Sequence, residues 1–156
     1  MSCIIVQPKE LNKSVLSVKV QDIPILSSKV AAGFPSPADD HLDNALNLND
    51  LLVKHPAATF LVRATGKSME GVGIFNNDIL IVDRSVNPVH GSVVIAAIDG
   101  ECLVKTFCQE KKKNWLQSAN PNFPLILLEE SNSVEIWGVV TGVVRQHGSN
   151  GRVCLN

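Results

Sequence analysis

Asp99-Gly100 separates two apolar runs, 92–98 and 101–107. Asp-Gly in that setting marks a two-residue hairpin, because a type I′ turn needs positive φ at both central positions. With that loop fixed, the register follows: Ile98 faces Glu101 and Val94 faces Lys105. Leu103, Lys105 and Phe107 then point to one face, opposite Ala96, Val94 and Ser92. Lys105 is therefore an amine flanked by apolar side chains along its strand and across it. Burial of that kind disfavours the ammonium form.

Further strands are expected over 59–65, 78–83, 115–117, 125–128 and 134–144, with Asn120-Pro121 and Gly148 as punctuation. Short strands at regular spacing predict a mainly β domain, partly closed, built from hairpins. One short helix is expected at Leu51, Leu52 and Val53, capped by Asn49 or Asp50 and stopped before Pro56. Residues 1–32 read as an N-terminal arm in which Val15, Val18 and Val20 suggest a weak strand and Pro24 interrupts. Pro35, Pro37, Asp39 and Asp40 mark an irregular stretch. The predicted organisation is an arm at 1–32, a linker at 33–45 and a β-rich domain at 46–156.

The bulk properties narrow the function classes. Apolar residues make up 45% of the 156, enough for a core, and the net charge is −1. A nucleic-acid binder carries a basic footprint. The one lysine cluster, Lys111 to Lys113 beside Glu110, reads as a solvated hairpin tip, so direct sequence-specific DNA binding is disfavoured. Cys3, Cys102, Cys108 and Cys154 form no C-x-x-C pair, and no histidine stands at zinc-ligand spacing. No metal and no cofactor are expected. The apolar run at Cys3 to Val6 is too short for a signal peptide, and no window approaches the ~20 apolar residues of a membrane span. A soluble, cytoplasmic protein in a reducing compartment is expected.

Ser68, in Gly66-Lys67-Ser68-Met69, ends an apolar alternating run, and its hydroxyl needs a neighbouring base to act as a nucleophile. Lysine is a base only when neutral. At the ordinary pKa of ~10.4, holding it neutral at pH 7 costs roughly 4.6 kcal/mol, and burial shifts lysine by up to ~3–5 units. An apolar strand face is thus the environment that turns Lys105 into a base. Taken singly, a loop serine and a strand lysine are more often structural than catalytic. His41, His55, His90 and His147 leave a Ser/His arrangement open, although each reads as surface. Asp78 and Asp83 read as ordinary turn residues.

The stretch Gly66-Lys67-Ser68-Met69 through Asp78-Ile79-Leu80-Ile81-Val82-Asp83 resembles the nucleophile region of the LexA/UmuD-type self-cleaving serine peptidases. His90-Gly91-Ser92 through Leu103-Val104-Lys105 resembles the strand pair that ends in that family's lysine. Ala32-Gly33-Phe34-Pro35-Ser36-Pro37-Ala38 looks like its self-cleavage segment. These three ordered motifs span residues 31 to 144. The resemblance implies that Ser68 is the nucleophile, Lys105 the general base and Ala32-Gly33 the scissile bond. It is strongest to the UmuD branch of that family, because the 32 residues before the cut show neither helical period nor basic charge for a helix-turn-helix reader.

By that resemblance the protein is a homodimer whose self-cleavage is stimulated by RecA filaments on single-stranded DNA. Its shortened form would join a UmuC-type polymerase subunit in SOS translesion synthesis. Three departures stand out: Ala-Gly rather than Cys-Gly at the cut, a somewhat long arm, and a tail at 146–156 without a counterpart. The competing expectation is a non-catalytic β-rich interaction module in which Ser68 and Lys105 are vestigial.

Overall fold

A computed structural model describes residues 4–5, 23–26, 42–98, 100–111, 113–128 and 134–147. The chain divides into two compact units, Pro8–Lys54 on one hand and Met1–Gln7 with His55–Asn156 on the other.

In the unit Pro8–Lys54, β2 (Ile23–Leu26) pairs antiparallel with β3 (Leu42–Leu46). Pro24 falls where the register shifts between Ile23 and Ile25, an irregularity of the kind at which strands accommodate proline. Helix α1 spans Leu48–Leu52. Its cap is Asn47, two or three residues before the expected Asn49 or Asp50: the Asn47 side chain accepts from the Asn49 N–H at 2.9 Å. Starting there lets the Val53 N–H close the last turn on the Asn49 carbonyl at 2.7 Å, ahead of Pro56. The expected apolar face is not buried, and Leu48 and Leu51 are half exposed.

The larger unit is one antiparallel sheet. Its strands are β1 (Ile4–Ile5), β4 (Thr59–Arg63), β5 (Ile79–Asp83), β6 (Val93–Ile98), β7 (Glu101–Glu110), β8 (Lys113–Gln117), β9 (Ile126–Leu127) and β10 (Val134–Val144). Their order across the sheet is β1-β4-β5-β10-β6-β7-β8-β9. The edge strands β1 and β9 do not pair with each other among the described residues, so the sheet is open rather than partly closed. The mainly β class stands.

The β6–β7 hairpin has the expected register, with Ile98 opposite Glu101 and Val94 opposite Lys105. Gly100 supplies the positive φ, at 84°. Alternate residues of β6 and β7 feed two apolar clusters. Ile95 and Val104 join Val62, Met69, Leu80 and Val82 in one. Val94, Ala96 and Phe107 join Leu116 and Val139 in the other. The sheet is thus covered by apolar packing on both faces, and that removes water from any polar group placed between its strands.

Strand β10 fastens the two halves by pairing with both β5 and β6. Each pairing carries a register shift, and Gly138 lies at one of them. A Cβ there would stand 2.8 Å from the Asp83 carbonyl oxygen, closer than real contacts allow, so this crossing requires glycine. Among the described residues no helix is long and apolar enough to cross a membrane.

Candidate active site

Beyond β4 the chain turns at Gly66, whose φ is 85°. The Gly66 N–H donates to the Asn76 side-chain oxygen at 2.9 Å, which closes the base of the following loop. Ser68 and Met69 then lead into a single 3-10 turn, Glu70–Val72, with Met69 at its N-cap and Gly73 in the left-handed region after it. The N–H groups of Val72 and Ile74 both donate to the Met69 carbonyl at 3.2 Å. Met69 is fully buried and Ser68 is 1% exposed, so the hydroxyl is held inside the protein rather than on a solvated loop.

Lys105 is 5% exposed, in the middle of β7. It faces Val94 across the β6–β7 ladder. Its amine donates to the Ser118 hydroxyl at 2.6 Å. The Phe123 ring lies beneath it, 5.6 Å from the nitrogen to the ring centre. Among the described residues no carboxylate pairs with this amine, and burial pushes its pKa below the ordinary lysine value.

One short segment touches both groups. Ser118 takes the lysine's hydrogen bond, while the Asn120 N–H donates to the Ser68 carbonyl at 3.1 Å. Between them, Ala119 packs so closely on the Ser68 loop that a Cβ on Gly71 would stand 2.5 Å from its carbonyl oxygen. The Ser68 loop and the strand that carries Lys105 are therefore fastened to the same three residues. The expected scissile pair, Ala32 and Gly33, lies outside the described residues.

Sequence reading missed Ser118. A signal for it existed: with Lys111 and Lys112 as the tip of the β7–β8 hairpin, Glu110 faces Lys113, and extending that ladder sets Ser118 opposite Lys105. Lys111 does occupy the turn, with φ at 53°.

The two aspartates need correction. Asp78 and Asp83 are buried charges with side-chain partners rather than ordinary turn residues. Asp83 accepts from the Ser85 N–H at 2.8 Å and hydroxyl at 2.6 Å, and its other oxygen meets His55 Nδ1 at 2.6 Å. The Ser85 hydroxyl first, and His55 after it, lower its pKa from 3.8 to about 2. Asp78 is bound by Arg145, and that hydrogen bonding lowers its pKa too. Of the histidines, His55 is engaged with Asp83, and His90 Nδ1 accepts from the Gln109 N–H at 3.0 Å.

Comparison with known proteins bears on what this arrangement is. The family described as Peptidase S24-like matches residues 24–141. Protein MucA of Salmonella typhimurium is 42% identical over 138 residues, covering 88% of this chain and 91% of MucA. Protein ImpA of Escherichia coli is 41% identical over 124 residues, covering 79% of this chain and 83% of ImpA. The LexA repressor of Pseudomonas chlororaphis is 38% identical over 125 residues, covering 80% of this chain and 61% of the repressor. Identity at that level, carried across most of the chain and nearly the full length of MucA, makes this chain a member of the S24 peptidase family, on its UmuD-like side.

Proposed function

We propose that the protein is a self-cleaving serine peptidase of the UmuD type, with Ser68 as nucleophile, Lys105 as general base and Ala32-Gly33 as the bond cut. The observation that carries this reading is the buried Lys105 amine, without a carboxylate partner among the described residues and bonded to Ser118, on the segment that also holds the Ser68 backbone. A neutral amine has two N–H groups and one lone pair. Donation of one N–H to Ser118 fixes the nitrogen and leaves the lone pair for the Ser68 proton.

As Lys105 takes that proton, the serine oxygen attacks the Ala32 carbonyl carbon. The resulting ammonium then protonates the Gly33 nitrogen as the peptide bond breaks. Water, deprotonated by the same amine, releases the acyl group from Ser68. Small residues at the cut let the chain bend into an enclosed site. Because substrate and enzyme share one chain, the tether rather than dilution sets the local concentration. Stimulation by RecA filaments on single-stranded DNA, a homodimeric state and service as the accessory subunit of a UmuC-type translesion polymerase belong to the same proposal. They rest on the likeness to the UmuD branch.

The test is mass analysis of purified protein after incubation across pH 7 to 10. Expected is a fragment beginning at Gly33, formed faster as pH rises through the depressed lysine pKa and levelling off above it. Ser68→Ala and Lys105→Ala should each slow it about a thousandfold or more. An intact chain at alkaline pH and with RecA, nucleotide and single-stranded DNA would leave only the non-catalytic module.

A further inference from the structure

The loop that carries Ser68 is held by a residue at the end of β10, the strand beside β5. Arg145, directly after β10, grips Asp78 with two parallel hydrogen bonds, Nε to Oδ1 at 2.7 Å and Nη2 to Oδ2 at 2.6 Å. Nη2 also donates to the Gly73 carbonyl at 2.8 Å. The guanidinium lies over the Phe75 ring, 4.2 Å from its centre. Asp78 is 1% exposed and its Oδ2 accepts a further bond from the Phe75 N–H at 2.8 Å. A carboxylate buried so deeply persists only with its lone pairs filled and its charge countered.

The Gly73 carbonyl connects this grip to the nucleophile. Gly73 closes the 3-10 turn, with its N–H on the Glu70 carbonyl at 2.9 Å. Met69, which follows Ser68 directly, is the N-cap of that turn. Arg145 thus fixes the end of a single helical turn whose beginning carries the serine. The other end of the loop is fixed separately, by Gly66 on Asn76. Lysine at position 145 would supply the charge without the fork: it cannot span both carboxylate oxygens, reach Gly73 and stack on Phe75 at once.

We propose that Arg145 is a positioning residue for Ser68, setting the direction of its hydroxyl through Gly73 and the turn Glu70–Val72. The proposal rests on the reading of Ser68 as nucleophile. An error of about 1 Å in a reacting atom costs on the order of a hundredfold in rate. The hydrogen bonds and ring contact of Arg145 go to Asp78, Gly73 and Phe75, and those of Lys105 to Ser118 and Phe123, so loss of Arg145 should lower the rate without moving the pH at which the rate rises.

The test measures the reactivity of Ser68 itself, independent of the cleavage segment. A fluorophosphonate probe forms an oxygen–phosphorus bond with the serine as the phosphorus–fluorine bond breaks. Fluoride departs and Lys105 takes the proton. Labelling rates are compared for the full-length wild type, Arg145→Ala and Arg145→Lys, with Ser68→Ala as the blank and circular dichroism to confirm folding. Expected is labelling about 10- to 100-fold slower in both variants at an unchanged pH midpoint. Dilute guanidinium ion should partly restore Arg145→Ala, and methylammonium should not.

Folded variants that label at the wild-type rate would overturn the proposal. So would slow labelling that guanidinium does not restore, or the unfolding of both variants, since Arg145 would then be structural only. Absence of labelling in the wild type would instead sink the Ser68 reading.

Discussion

Lys105 carries the cost in stability that its proposed role as base requires. Its folded pKa lies below the unfolded value, so below both values the native state bears the full penalty of a buried ammonium. As pH rises between the two, the unfolded chain holds more protons than the native one, and stability increases. Lys105→Met keeps the length of the side chain and removes the titration. It should unfold at higher urea than wild type at pH 7, with the gap narrowing as pH approaches 10.5, the ordinary lysine value. A gap that stays constant across that range would mean that the amine carries no desolvation penalty. The settings of Ser68 and Lys105, a turn after a strand and apolar neighbours two residues away, were legible in the sequence because they are local. Asp78 and Asp83 were not. Their partners, Arg145 and His55, stand 67 and 28 residues away in sequence, and no local pattern announces such a pairing.

At the level of elements, the hairpins were readable and their fastenings were not. Asp99-Gly100 set the β6–β7 register from turn chemistry alone, and the same logic at Lys111 would have delivered Ser118. The cap of α1 was misplaced because asparagine occurs at both 47 and 49, and propensity cannot choose between them. The contact of the Ser68 loop with the segment 118–120 left no sequence signal except a glycine. Gly71 is where that contact can be tested. A methyl group there meets the Ala119 carbonyl at 2.5 Å, so the two backbones must separate. Overpacking of this kind costs about 1–3 kcal/mol. The separation also draws Ser118 away from Lys105. Gly71→Ala should therefore slow self-cleavage about tenfold or more while the protein remains folded at 25 °C. Cleavage at the wild-type rate, with only the melting temperature reduced, would show that the segment does not set the lysine's position.

For the whole molecule, the β class was legible from strand spacing, but the order of strands was not. The insertion of β10 between β5 and β6 joins residues some sixty positions apart, and nothing local encodes it. The order has a consequence for cleavage. Strand β1 belongs to the 1–32 fragment that the proposed cut would release, yet it forms the sheet's edge, with Ile4 opposite Arg63 and Ile5 opposite Val62. While the chain is whole, the tether holds this strand at an effective concentration on the order of millimolar. After the cut, the described residues that retain the fragment are the two-residue β1–β4 ladder and the short β2–β3 pairing, and short paired segments are marginal in water. The fragment should leave, and β4 becomes an unpaired edge, the kind of surface that takes up a strand from another chain. Hydrogen exchange can follow this directly. In Ser68→Ala, which keeps its arm, the outward amides of β4 should be protected; in the cleaved wild type they should exchange about tenfold faster, with the β5 amides unchanged. Equal exchange at β4 in both forms would mean that the edge survives the cut, and the release of β1 could then play no part in what distinguishes the two.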